Sequence, residues 1–98
     1  MLNKEKLILD KAIHLFAKKG FHQTSIQEIA DECGISKGSI YSYFHSKDAL
    51  LIESLNYFFS QIEMKFQKID KLNISSKEKL VKQLAVIFEK VYEYKQIM

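Results

Sequence analysis

Apolar side chains recur every three or four residues along this chain, which is the spacing of one face of an α-helix. The first such segment covers residues 4–19 and ends at Gly20, a residue type that commonly terminates helices. Its apolar stripe consists of Ile8, Ala12, Leu15 and Phe16. Lysines 18 and 19 suit the negative end of the helix dipole. The pattern predicts a scaffold helix.

A second, shorter helix is predicted from Ser25 onward. Ser25 and Glu28 have capping-box spacing, in which the serine oxygen accepts a main-chain amide and the glutamate reaches back to the cap. The apolar stripe behind this cap consists of Ile26, Ile29, Ala30 and Cys33. Gly34 can adopt the left-handed conformation that ends a helix, so the helix is expected to stop there.

A third helix is predicted after this turn, with Ser36 as its N-cap. Ile40 and Phe44 lie four residues apart and share its apolar face. The remaining positions carry hydroxyl groups and a lysine: Lys37, Ser39, Tyr41, Ser42 and Tyr43. A short helix with two buried apolar residues and a polar outer edge suits a DNA groove, so residues 25–44 are predicted to form a helix-turn-helix.

Two longer helices complete the predicted fold, which is all-α. The fourth starts after Ser46 and runs to about Asp70, with the apolar stripe Leu51, Leu55, Phe58, Ile62, Phe66 and Ile69. Residues 71–75 form the only internal break, and Ser75 and Glu78 repeat the capping-box spacing. The fifth helix has the stripe Leu80 or Val81, Leu84, Ile87 or Phe88, and Val91.

Composition narrows the class of protein. The chain has 98 residues with no proline and three glycines, which favours helices throughout. Its net charge of +3 is only mildly basic and does not by itself identify a nucleic-acid binder. No apolar run reaches the roughly 20 residues of a membrane span, and no signal sequence is visible, so we expect a cytoplasmic protein without a membrane partner. The single Cys33 is expected to be a buried helix residue in a reducing compartment.

Catalytic chemistry has no visible basis in the sequence. There is no nucleophile–base pair, carboxylate pair, glycine-rich phosphate loop or cluster of metal ligands. His14 and His22 are expected to be surface residues, because no Cys, Asp or Glu stands at metal-ligand spacing from them. We therefore predict that the chain is not an enzyme and uses no cofactor and no metal.

The region around the predicted helix-turn-helix resembles the N-terminal signature of the TetR family of bacterial transcriptional regulators. The similarity runs without a gap from about Ile8 to Leu50. The matching positions are Ala12, Leu15, Phe16, Gly20, Phe21, Thr24, Ser25, Ile29, Ala30, Gly34, Ile35, Ser36, Lys37, Gly38, Ser39, Ile40, Tyr41, Tyr43, Phe44, Lys47 and Leu50. Single pieces of this string would be weak evidence, but the ordered string is specific.

The resemblance implies a domain organisation. Residues 2–62 would form the DNA-binding domain, with a three-helix head and a long connecting helix. Residues 63–98 would begin a helical domain that binds an effector and dimerises. Members of this family are considerably longer, so the resemblance implies a truncated second domain. The fourth and fifth helices are then expected to leave apolar surface uncovered.

The resemblance also implies a function. The chain would belong to a sequence-specific DNA-binding regulator, and a repressor relieved by a small-molecule effector fits best. Its partners would be a pseudopalindromic operator in double-stranded DNA, a second copy in the full-length protein, and a small apolar effector whose binding residues the sequence does not indicate. The alternative is a helical interaction module that keeps the helix-turn-helix shape without binding DNA.

Candidate DNA contacts follow from the residues and from the resemblance. Thr24 can give a hydroxyl to the DNA backbone, next to the main-chain amides at the start of the second helix. The resemblance implies phosphate contacts for Tyr41 and Lys47, with Tyr43 contacting phosphate or packing on sugar. A structural alternative is that the tyrosines simply close a small core. The full predicted set is Thr24, Ser25, Ser36, Lys37, Gly38, Ser39, Tyr41, Ser42, Tyr43 and Lys47.

Base reading is assigned to the start of the third helix. Lys37 can donate to guanine O6 or N7, although a non-specific phosphate contact remains an open alternative. Gly38 lets the main chain approach the bases or a thymine methyl group. Ser39 can donate or accept a hydrogen bond, and Ser42 is a further candidate.

Overall fold

Five α-helices account for most of residues 3–97, the part of the chain that the computed structural model describes. They are α1 (Lys4–Lys19), α2 (Ile26–Cys33), α3 (Lys37–Tyr43), α4 (Lys47–Asp70) and α5 (Ser76–Ile97). No strand occurs within that range. The predicted all-α fold is confirmed, and the predicted ends of α1 and α4 coincide with the observed ones. Leu2 and Met98, which bound the predicted domains, lie outside the described residues.

The chain divides into two compact units, one ending at Phe58 and the other starting at Phe59. This division falls inside α4, somewhat before the predicted domain boundary after residue 62. The first unit holds α1, α2, α3 and the first half of α4. The assignment of residues 2–62 and 63–98 to DNA-binding and regulatory domains stays a prediction.

The predicted capping box at the start of α2 is present. The Glu28 amide donates to Ser25 Oγ at 3.0 Å, and the Ser25 amide donates to Glu28 Oε1 at 3.1 Å. The Glu28 carboxylate also pairs with the Lys19 ammonium at the end of α1, and this pairing, together with the Ser25 amide, lowers the pKa of Glu28. The start of α2 is therefore fixed both by its own cap and by a link to α1.

Buried residues of the first unit come from all four of its helices. The cluster consists of Ile8, Leu9, Ala12, Phe16, Ile26, Ile29, Ala30, Ile40, Phe44 and Leu50. In α1, α2 and α3 these residues lie on or next to the predicted apolar faces, and Leu15 packs against the cluster while only half-buried. The predicted stripe of α4 needs correction, because α4 buries Leu50 and Ser54, whereas Leu55 of that stripe is 37% exposed. This core holds α2 and α3 on the scaffold of α1 and α4.

Two sequence-based expectations about this unit need correction. Cys33 is half-buried rather than buried, because it is the last residue of α2 and lies at the edge of the core. Partial burial raises the pKa of its thiol, which therefore stays protonated. His14 is also half-buried, with its Nδ1 2.7 Å from the Asp10 carbonyl oxygen, whereas His22 is exposed as expected.

The second unit exposes much of its apolar surface. Ser75 caps α5 by accepting the Glu78 amide at 3.2 Å, and the Lys79 ammonium donates to the Asp70 carbonyl oxygen at 2.9 Å. The apolar residues along α5 are nevertheless exposed, as expected: Leu80, Val81, Leu84, Ile87, Phe88 and Val91. None of the helices in the described range combines the length and apolarity needed to span a membrane.

Gly34 is expected to be the residue of the α2–α3 turn that tolerates substitution least. Its φ of 70° and ψ of 32° lie in the left-handed region, and an added Cβ would meet no atom within 4 Å. A Gly34→Ala substitution should therefore cost about 1–2 kcal/mol through the backbone conformation alone. Urea denaturation followed by circular dichroism measures this cost. An unchanged midpoint would show that the turn relaxes to another conformation.

Candidate nucleic-acid interface

The two faces of α3 differ sharply in burial. Ile40 is fully buried, and Phe44, just past the helix end, is also buried. These are the two residues that the sequence predicted for the inner face. The outer face carries Lys37, Gly38, Tyr41, Ser42 and Tyr43, all of them exposed. The core thus holds α3 through its buried face and leaves its polar outer face accessible to a ligand.

Both tyrosines of α3 lie on the surface. Tyr41 is 44% exposed and Tyr43 is 45% exposed, and the Tyr43 ring lies 6.4 Å from the ring of Phe44, centroid to centroid. A tyrosine that closed a small core would be far more buried than this. The alternative of a purely structural role is therefore not favoured for either residue, and both hydroxyl groups can reach an approaching molecule.

The serines of α3 form a chain of local hydrogen bonds. Ser36 caps the helix by accepting the Ser39 amide at 3.1 Å, and the Ser36 and Ser39 hydroxyl oxygens are 3.0 Å apart. The Ser42 hydroxyl donates to the Ser39 carbonyl oxygen at 2.6 Å. Ser42 therefore presents oxygen lone pairs, rather than a proton, to solvent. Ser36 has the clearest structural role of the three.

Gly38 has no structural need to be a glycine within the described chain. Its φ is not positive, and an added Cβ would have only Ser36 Oγ nearby, at 3.9 Å. A glycine in a helix costs about 0.5–1 kcal/mol relative to alanine. Because Gly38 has no side chain, another molecule can approach the backbone of α3 closely at this position.

Lys47 is the first residue of α4 and is held against an aromatic ring. Its Nζ lies 4.4 Å from the centroid of the Phe21 ring, in the turn between α1 and α2. Ser46 caps α4 by accepting the Ala49 amide at 3.0 Å, as predicted. The ammonium group consequently has a defined position over the α1–α2 turn.

The predicted contact from the Thr24 hydroxyl needs correction. The side chain is only 1% exposed, and its Oγ1 lies 2.8 Å from the Gly20 carbonyl oxygen and 3.2 Å from that of Leu15. The hydroxyl therefore donates inward, to the end of α1, and is not presented to a phosphate in this structure. Thr24 braces the α1–α2 turn. Ser25, next to it, is exposed, although its side chain is engaged with Glu28.

The stretch of sequence from Cys33 to Lys47 carries charges of one sign. Between Glu32 and Asp48 the sequence contains no carboxylate, while it contains Lys37 and Lys47. An anionic ligand would meet two ammonium groups, several hydroxyl groups and no nearby acidic side chain on this stretch. Within the described residues, no group of three His, Cys, Asp or Glu side chains could hold a metal ion. The arrangement fits a phosphate backbone lying across α3.

The sequence did not predict the contact between Phe21 and Lys47. The two residues lie far apart along the chain, and only the folded core brings the α1–α2 turn next to the start of α4. The one available signal was that both residues belong to the ordered set of positions that resembles the TetR signature. The helical spacing of three or four residues cannot predict a contact between residues this far apart in the sequence.

Comparison with known proteins gives a consistent result. The family model for bacterial regulatory proteins of the tetR family matches residues 8–53. The HTH-type transcriptional regulator YuxN of Bacillus subtilis is 45% identical over 98 residues, which are all of this chain and 34% of that protein. The HTH-type transcriptional repressor KstR2 of Rhodococcus jostii is 32% identical over 84 residues, covering 86% of this chain and 41% of KstR2.

A solved structure shares the fold. The fatty acid degradation regulator FadR from Bacillus halodurans superposes with a TM-score of 0.79 at 25% identity, over 99% of this chain and 51% of that one. The chain spans about a third of the length of YuxN and of YerO, another Bacillus subtilis regulator, at 34% and 35%. The matched family region contains α2, α3 and most of α1.

Proposed function

The chain belongs, through residues 8–53, to the TetR family of bacterial regulatory proteins, and from this premise we propose that it binds operator DNA with α3 in the major groove. One observation carries the proposal. The polar edge of α3 is exposed above two buried apolar residues, Ile40 and Phe44, and no carboxylate interrupts the sequence from Glu32 to Asp48. A helix held in this way can enter a groove without rearranging the core.

The exposed residues divide into two proposed roles. Tyr41, Tyr43 and Lys47 contact phosphate or sugar and set the orientation of the head on the duplex. Lys37, Gly38, Ser39 and Ser42 face the base edges. The main-chain amides at the starts of α2 and α3, behind the caps Ser25 and Ser36, add partial positive charge toward the backbone. The side chain of Thr24 is left out of this set because it is buried.

The alternative function is a helical interaction module without DNA contacts. Nothing about the buried face of α3 separates the two functions, since both need the same core. The exposed tyrosines of the outer face suit either partner, but Ser39 and Ser42 favour DNA, because serine is depleted at protein–protein interfaces. DNA binding therefore accounts better for the residue types present.

We propose a cytoplasmic homodimeric regulator that represses transcription from a pseudopalindromic operator and is released by a small apolar effector. Membership of a family of bacterial regulators supports it, as does the similarity to a protein named as a repressor and to a regulator of fatty acid degradation. The exposed apolar residues of α5 are consistent with further surface for a partner or an effector.

Gel retardation with a palindromic duplex selected from random sequence tests DNA binding directly. We expect retardation at low salt that weakens as salt is raised, because ammonium contacts displace counterions from the phosphates. A helical interaction module would retard neither the selected duplex nor random DNA. The same assay with short acyl compounds would test release by an apolar effector, and it should use the full-length protein.

Lys47→Ala is expected to weaken binding to selected and random duplexes by the same factor. The reason is that its ammonium group, at the start of α4, is proposed to meet phosphate rather than a base edge. The slope of log affinity against log salt should fall by about one. Salt titrations on both duplexes measure this. A changed sequence preference with an unchanged slope would contradict the assignment.

Gly38→Ala is expected to raise the stability of the chain and to lower its affinity for the selected duplex. The added methyl group meets no close atom of the chain, so α3 should become about 0.5–1 kcal/mol more stable. The same methyl group would stand between α3 and the bases, so affinity for the selected duplex should fall by about 1 kcal/mol, roughly fivefold. Denaturation and DNA titration of one variant give both numbers. Unchanged affinity would show that DNA does not approach this patch.

A further inference from the structure

We propose that Phe21 is a positioning residue for DNA binding, which acts by holding the ammonium group of Lys47 toward a phosphate. This inference rests on the proposed function. Its basis is the 4.4 Å distance between Lys47 Nζ and the centroid of the Phe21 ring, which brings together the α1–α2 turn and the start of α4. A cation at this distance over an aromatic face is attracted by the ring quadrupole.

The benefit of the ring is that it orders the lysine without neutralising it. A free lysine side chain populates many rotamers, and DNA binding must restrict them at an entropic cost. A carboxylate could restrict them too, but it would cancel the charge that a phosphate needs. Within residues 3–93, no Asp or Glu pairs with Lys47, so the ring is the group that holds it. The N–H bonds that point away from the ring remain available to phosphate oxygens.

Phe21 is itself fixed by its neighbours, which a positioning residue requires. Its ring lies 5.4 Å from that of buried Phe16 and meets the His22 ring edge-on at 5.3 Å. The turn beneath it is braced by Thr24, whose hydroxyl donates to main-chain oxygens at the end of α1. The position of the ammonium group is thus set by the packing of Phe21 against the end of α1.

A double-mutant cycle separates this role from a purely structural one. Phe21→Leu keeps an apolar side chain and removes the ring, and Phe21→Tyr keeps the ring as the matched control. With the selected duplex at low salt, we expect Phe21→Leu to weaken binding roughly threefold and Phe21→Tyr to change it little. In a Lys47→Ala background, Phe21→Leu should cause no further loss. An equal threefold loss in both backgrounds would overturn the inference, because Phe21 would then act without Lys47.

A second readout observes the contact without DNA. The Cε protons of Lys47 over a ring should resonate upfield of their usual position in the wild-type chain and in Phe21→Tyr. They should return to the usual position in Phe21→Leu. Ordinary Cε shifts in the folded wild type would overturn the inference even if Phe21→Leu failed to fold. If the wild type did not bind the duplex, the proposed function would be overturned instead. If it bound, but Phe21→Leu caused the same loss with and without Lys47, this inference alone would be overturned.

Discussion

Ile40→Ala is expected to destabilise the first unit by about 2–5 kcal/mol, the usual cost of emptying a fully buried aliphatic site. Ile40 is 0% exposed and is the only buried residue within α3 itself. Loss of its side chain leaves a cavity under the helix and removes the contact that fixes its depth on the core. DNA binding should fall along with stability, because α3 no longer presents its outer face in one orientation.

The matched control is Ile52→Ala, the same substitution on the same unit at a site that is 58% exposed. Its expected cost is within about 0.5 kcal/mol, as for most surface substitutions. Urea denaturation followed by circular dichroism gives both values. Similar costs for the two variants would show that the inner face of α3 is not packed as described, and the proposed presentation of its polar edge would fail with it.

Lys37→Ala is expected to cost about 1–3 kcal/mol in affinity for the selected duplex and to relax the preference at one base position. Lys37 is the first residue of α3, is exposed, and is the one cation on that helix. The chain contains no arginine, so the common bidentate arginine–guanine contact is absent from this surface. The loss of Lys37 should therefore remove much of whatever guanine recognition the helix provides.

Selection of binding sites by the wild type and by Lys37→Ala, followed by titration of each against both selected duplexes and a random duplex, measures the two effects. Lys82→Ala removes an exposed lysine from α5 and serves as the control for net charge. A uniform loss on selected and random duplexes, with an unchanged site preference, would assign Lys37 to phosphate. That outcome corresponds to the alternative that the sequence leaves open.

Local chemistry explains why the elements could be predicted from the sequence. The capping pair Ser25 and Glu28, the turn at Gly34, and the caps Ser36 and Ser46 each act within four residues, and each is observed as expected. The apolar spacing of three and four residues also indicated the buried faces of α1, α2 and α3, whereas in α4 the buried Leu50 lies outside the predicted stripe because several faces of that helix carry apolar residues. A short all-helical unit with such strong local signals leaves little for long-range contacts to decide.

The site was less predictable because its details depend on contacts across the fold. Thr24 stands at a helix start, where a hydroxyl often faces an anion, yet the end of α1 supplies two carbonyl oxygens that attract it inward. The pairing of Lys47 with Phe21 likewise arises only when α1 and α4 share a core. In contrast, exposure of Tyr41 followed from the helical phase set by Ile40, which a sequence does reveal.

The outer face of α3, together with Lys47, is proposed to be the surface that meets DNA. Amide chemical shifts of the ¹⁵N-labelled chain, recorded during titration with the selected duplex, test this claim most directly. We expect the largest changes between Ser36 and Lys47 and at the start of α2, with α5 unaffected. Chemical-shift changes confined to α5 would contradict this assignment. So would the absence of any change at low salt, with Lys37→Ala giving the same spectra as the wild type.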